Sequence, residues 1–124
     1  MPGFTLAPGA DAATVAAAHS DLALGLSGLP RALADRVLIV AGEIAANAVE
    51  HGAGDVTLAW TVSAESVRLD VLGPGPDVRQ IRAAILPPDD AVRGRGLFLI
   101  QALATSVEPV AGGLRIRFGP DQSD

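Results

Sequence analysis

The sequence predicts an α+β fold, a two-layer sandwich in which a mixed or antiparallel sheet is covered on one face by helices. Three observations predict it. Val56, Leu58, Trp60 and Val62, then Val67, Leu69 and Val71, fall on alternate positions of two neighbouring segments, the period of strands with one buried face. Leu33, Val37, Val40, Ile44 and Ala48 recur instead at helical spacing over a long segment. The elements then follow in the order helices, hairpin, helix, hairpin, which packs most simply as one sheet against one helical layer.

Taken in chain order, the apolar piece Phe4 to Ala7 reads as an edge strand before the turn Pro8-Gly9-Ala10. Asp11 is placed to cap a helix that runs to about Gly25, where glycine suits a helix end. Pro30 fits the first turn of the second helix, which ends at Gly52. Asp55 to Val62 and Val67 to Val71 form a hairpin about a turn at Ala64 to Ser66. Gly73-Pro74-Gly75-Pro76 stops the second of these strands. Asp77 to Leu86 reads as a short helix closed by Pro87-Pro88, and the stretch to Arg93 as a polar loop. A further helix, Leu97 to Ala104, follows Gly94-Arg95-Gly96. Thr105 to Val110 and Leu114 to Phe118 close the chain as a hairpin about Ala111-Gly112-Gly113. Trp60 and Phe98 are assigned to the core.

The 124 residues suffice for one domain with a real core, expected over 1–124 with loose ends at about 1–3 and 120–124. Hydrophobic residues make up 49% of the chain, yet Arg, Asp or Glu interrupts each apolar stretch before the roughly 18 residues that a membrane span needs. Met1 to Ala10 holds no Arg or Lys ahead of an apolar run, so a secretory signal is not expected and the cytoplasm is the expected compartment. With no cysteine, disulfides, thiolate nucleophiles and zinc-thiolate sites are excluded. A net charge of -5 argues against direct binding to nucleic acid or to an anionic membrane. All nine basic residues are arginine, which excludes a phosphate-binding or Schiff-base lysine.

Three places have the residues for chemistry. Glu43, Asn47 and His51 stand at successive spacings of four on the long helix and share one stripe. An amide oxygen is a hard ligand for Mg²⁺, and a carboxylate beside it can accept a proton or orient a hydroxyl. The same spacing is also that of an ordinary wet helix face. Gly73 and Gly75 directly follow a strand, where glycine lets a ligand approach the backbone, although such a pair also serves a plain turn. Arg93, Gly94, Arg95, Gly96 and Leu97 open a helix, whose free amides and dipole favour an anion. A hinge whose arginines offset Asp89 and Asp90 is the competing reading. His51, at the helix end, suits a capping role as well as a catalytic one.

In their order and spacing the three resemble the GHKL (Bergerat-fold) ATP-binding family over almost the whole chain. Glu43-Ile-Ala-Ala-Asn47-Ala-Val-Glu-His51-Gly52 looks like its N-box, Leu72-Gly73-Pro74-Gly75 like its first glycine box, and Gly94-Arg95-Gly96-Leu97-Phe98-Leu99-Ile100 like its second. The Glu-x-x-x-Asn-Ala-x-x-His form and the length are most similar to anti-sigma-factor serine/threonine kinases of bacterial partner switching. The resemblance implies that Asn47 holds Mg²⁺ against the triphosphate of ATP and that Glu43 acts as base or orienting group for a substrate hydroxyl. It also implies that the amides near Gly94 and Gly96 cradle phosphate while Arg95 adds charge. It implies a sigma factor and a STAS-type anti-sigma antagonist as partners, and a homodimer through a sheet face. A detached ATPase module of a sensor histidine kinase is a further alternative. Those kinases usually carry Asn in the place of Glu43 and need a phosphoacceptor helical hairpin, for which the chain is expected to have no room.

One position departs from the family pattern. The first glycine box usually reads Asp-x-Gly-x-Gly, its aspartate accepting a hydrogen bond from the adenine amino group, and here that place is held by Val71. Asp70 lies one residue earlier, and strand alternation sends it to the opposite face unless a bulge shifts the register. Loss of such a bond costs about 1.5 to 3 kcal/mol, or roughly ten- to hundredfold in affinity. A non-catalytic protein-binding module that has kept the fold and lost ATP is therefore the main alternative.

Overall fold

The structure, a computed structural model, describes residues 2–84 and 95–120, with only the backbone at Arg95. Five strands form one sheet in the order β1-β2-β3-β5-β4: β1 (Gly3–Leu6), β2 (Val56–Ser63), β3 (Ser66–Leu72), β4 (Ser106–Val110) and β5 (Gly113–Phe118). Every neighbouring pair is antiparallel, which settles the choice left open between a mixed and an antiparallel sheet. The helices are α1 (Ala12–Gly25), α2 (Arg31–His51), α3 (Val78–Arg82) and α4 (Arg95–Leu103).

Alternation decides which side of the sheet is dry. Leu58, Trp60, Val67, Leu69, Ile116 and Phe118 are buried against Leu22 and Leu26 of the first helical segment and Val37, Val40 and Ile44 of α2. Ile81 of α3 and Ile100 of α4 complete the same core, so all four helices lie on one face. Burying a side chain of this size stabilises the fold by about 1.5–3 kcal/mol. The opposite face is polar: Arg68, Asp70, Arg115, Arg117 and Glu108 stand in neighbouring register positions on β3, β5 and β4.

Side-chain caps fix the starts of α1 and α3. Asp11 accepts a hydrogen bond from the Thr14 amide at 2.8 Å and opens α1. Asp77 and Gln80 exchange side-chain and backbone bonds in a capping box that opens α3.

Several boundaries differ from expectation. The N-terminal tail is shorter than expected, because Gly3 is already in β1 and the Pro2 carbonyl accepts from the Trp60 amide at 3.0 Å. Pro30 is the extended residue before α2 and not its first helical residue. α3 ends at Arg82, where the Ala84 amide turns back to the Ile81 carbonyl at 3.2 Å and tightens the last turn. α4 includes Arg95 and Gly96, so the glycine expected before the helix lies within its first turn. Phe98 is only half-buried, since Leu97, Ile100, Leu103 and Ala104 form the inward stripe of this helix. The expected polar loop up to Arg93 and the chain end at 121–124 lie outside the described residues.

Candidate functional site

A cleft of about 1050 Å³ opens where the C-terminal half of α2, the end of β3, α3 and the start of α4 meet. Its volume is at the upper end of the range for small-molecule sites. α2 supplies one wall. Its inward residues Ile44 and Ala48 are buried, and the turn between them and solvent presents Glu43, Asn47, Glu50 and His51 to the cleft. The period of the helix thus makes one face core and the adjoining face site. His51 Nε2 lies 3.7 Å from Glu50 Oε2, and both side chains are well exposed.

The second wall begins where β3 ends. Gly73 has φ +121°, a conformation that L side chains rarely adopt, and a Cβ there would collide with the Asp55 carbonyl oxygen. Its amide donates to the Gly112 carbonyl at 3.0 Å, which ties the loop after β3 to the β4–β5 turn. Gly75 differs, for a Cβ on it would meet nothing within 4 Å, so nothing in the surrounding protein requires a glycine there. The room at Gly75 is left on a loop that lines the cleft.

Gly96 and Leu97 line the cleft from the first turn of α4. A Cβ on Gly96 would stand 3.0 Å from Glu43 Oε2, so the glycine lets the start of α4 approach the carboxylate. The far end of α4 is fixed by Arg36 of α2, whose Nε and Nη2 donate to the Leu103 carbonyl at 3.0 and 2.8 Å. Gln101 also donates to the Arg82 carbonyl at 2.9 Å, joining α4 to the end of α3. The helix that opens on the site is therefore held at its other end by α2 and α3.

Val71 is buried and lines the cleft, whereas Asp70 is on the far side of the sheet. β3 pairs without a bulge from Ser66 to Leu72 on its β2 side, and from Val67 to Leu72 on its β5 side. Arg115 holds Asp70 in place through Nε at 2.7 Å, and Arg68 Nε lies at 3.6 Å. The Asp70 hydrogen bond in turn raises the Arg115 guanidinium above its ordinary pKa, with burial opposing.

The structure therefore brings Glu43, Asn47, Gly73, Gly75, Gly96 and Leu97 to one cleft. Arg93 and Gly94 lie outside the described residues, and only the backbone of Arg95 is described. Sequence reading did not single out Glu50, Asp77, Arg79, Arg82 or Pro109 as lining residues. Arg79 and Arg82 had a visible signal, two arginines three apart on a short helix just after the glycine pair. Pro109 had none, since only sheet closure brings β4 to the cleft.

These residues fit a magnesium nucleotide at one end. Asn47 is exposed to the cleft with a hard oxygen, Glu43 stands one turn before it, and the first turn of α4 faces the same space. Among the described residues no cluster of three His, Asp or Glu side chains is placed to hold a metal ion, so a metal here would take further ligands from phosphate and water. At the other end the buried lining residues, among those described, carry no charged acceptor for an adenine amino group.

A family model described as a histidine kinase-like ATPase domain matches residues 5–119. A search of curated proteins returns no match. The match runs from within β1 to the end of β5 and includes every described lining residue of the cleft, and the chain therefore belongs to the GHKL family of histidine kinase-like ATPase domains.

Proposed function

We propose that the protein is a regulator of the anti-sigma-factor type that binds Mg-ATP in this cleft and phosphorylates a serine or threonine on a STAS-type antagonist. The supporting observation is the convergence of Glu43, Asn47, the Gly73–Pro76 loop and the first turn of α4 on one cleft. When bound, Mg-ATP supplies the transferable phosphoryl group. Asn47 would offer its amide oxygen to the metal, and the amides that open α4 would hold the phosphates. Glu43 would accept the proton of the attacking hydroxyl at its carboxylate, which lies beside Gly96 at the start of α4. The sigma factor and the antagonist are proposed from the family likeness of the Glu43-to-His51 segment.

Incubation with Mg-ATP and a STAS-domain antagonist tests this reading. Acid-stable phosphoserine or phosphothreonine is expected on the antagonist, falling about a hundredfold with Glu43→Gln while nucleotide affinity stays within about threefold. Acid-labile phosphate would point to a histidine acceptor and contradict it. Val71 favours a second reading, in which the fold survives as a protein-binding module without nucleotide. Partner binding with neither phosphotransfer nor nucleotide binding would establish that one.

A further inference from the structure

The cleft is divided by polarity. Ile44, Ala48, Val56, Val71, Ile100 and Leu114 are buried lining residues, and among the described residues every other buried lining residue is apolar too. The charged and amide side chains that line it, Glu43, Asn47, Glu50, Asp77, Arg79 and Arg82 among them, are half-exposed or exposed. A flat ring on this floor would meet methyl and methylene groups, while phosphates and metal would stay at the polar rim.

Building on the nucleotide reading above, we propose that the floor accepts a purine ring by shape alone, so that nucleoside triphosphates with an amino-bearing or a carbonyl-bearing ring bind with similar affinity. A buried carboxylate distinguishes the two strongly, since it accepts from an amino group and repels a carbonyl oxygen. The methyls of Val71 make the same dispersion contacts with either. Asp70 cannot take over that task. It is 8% exposed on the other face, bonded to Arg115 at 2.7 Å and flanked by Arg68. Turning it inward would slip β3 by one residue and move Val67, Leu69 and Val71 out of the core. Asp77, an acid that also lines the cleft, is exposed and bonded through Oδ1 to the Gln80 amide at 2.9 Å. A site that hydrogen-bonds a polar ligand group rejects the analogue lacking it by large factors, and an apolar pocket discriminates far less.

The test is competition on the full chain with Mg²⁺ present, using a fluorescent N-methylanthraniloyl derivative of ATP as the probe and ATP, ITP and GTP as competitors. ITP is the sharpest comparison, because it replaces the amino group of the adenine ring with a carbonyl. Wild type is expected to bind ATP and ITP within about fivefold of each other, and Val71→Asp to favour ATP over ITP by at least about tenfold. A wild-type preference for ATP beyond about thirtyfold overturns the inference and leaves the nucleotide reading intact. Absence of probe binding, with no thermal shift from any of the three nucleotides, removes both. The wild-type comparison decides the matter even if Val71→Asp fails to fold.

Discussion

Asp70 and Val71 are adjacent in sequence and have opposite fates, one in a charged ladder and one in the wall of the cleft. The alternation of Val67, Leu69 and Val71 made this legible, because a strand with one buried face leaves each residue a single side. What alternation could not show is the partner that holds Asp70, since Arg115 is 45 residues away and comes alongside only when β5 pairs with β3. Removing that partner leaves a buried carboxylate with Arg68 alone, so Arg115→Ala should cost about 2 kcal/mol, less than the roughly 3–5 kcal/mol for a fully buried pair because Arg68 stays beside Asp70. That corresponds to a melting temperature lower by about 8 °C in a domain of this size. Replacing Asp70 and Arg115 together by apolar residues of similar volume should recover most of the loss. Calorimetric melting of the single and double variants checks both outcomes, and a double variant as unstable as the single would contradict the ion-pair account.

The elements were most legible where local chemistry and packing agree. α1 starts where Asp11 said it would, with the carboxylate on the Thr14 amide. α3 and α4 were read less well, for opposite reasons. Ala83 and Ala84 favour helix, but only Val78 and Ile81 of α3 find a core to pack against, so the helix stops early. Gly96 disfavours helix, yet α4 takes it in, and its missing side chain leaves the start of the helix close to the Glu43 carboxylate. Arg36 on the Leu103 carbonyl was also invisible in sequence, being a contact between helices 67 residues apart. The α1 cap makes a prediction about pH. The hydrogen bond from Thr14 holds the Asp11 carboxyl below its ordinary value of 3.8, so its stabilisation is present above that value and is lost as pH falls through the lower folded value. Melting curves of wild type and Asp11→Ala should keep a constant gap from about pH 7 to about pH 5 and converge below the ordinary carboxylate value. A gap unchanged into strong acid would show that the charged form of Asp11 contributes nothing.

At the scale of the whole molecule, one helical layer on one sheet face leaves the cleft where α2, α3, α4 and the end of β3 converge. The residues with chemistry were legible because they are polar or glycine at fixed spacings. The β4 part of the wall, Pro109, was not, since only topology brings it to the cleft. The central claim is that the polar wall of α2 and the opening of α4 together hold the metal and phosphates of a nucleotide. Isothermal titration of wild type and Asn47→Ala with Mg-ATP tests it most directly. Saturable binding to wild type is predicted, weakened at least about tenfold, or about 1.4 kcal/mol, in Asn47→Ala with an unchanged melting temperature. No heat from wild type up to millimolar Mg-ATP, or equal binding by the two proteins, would contradict it.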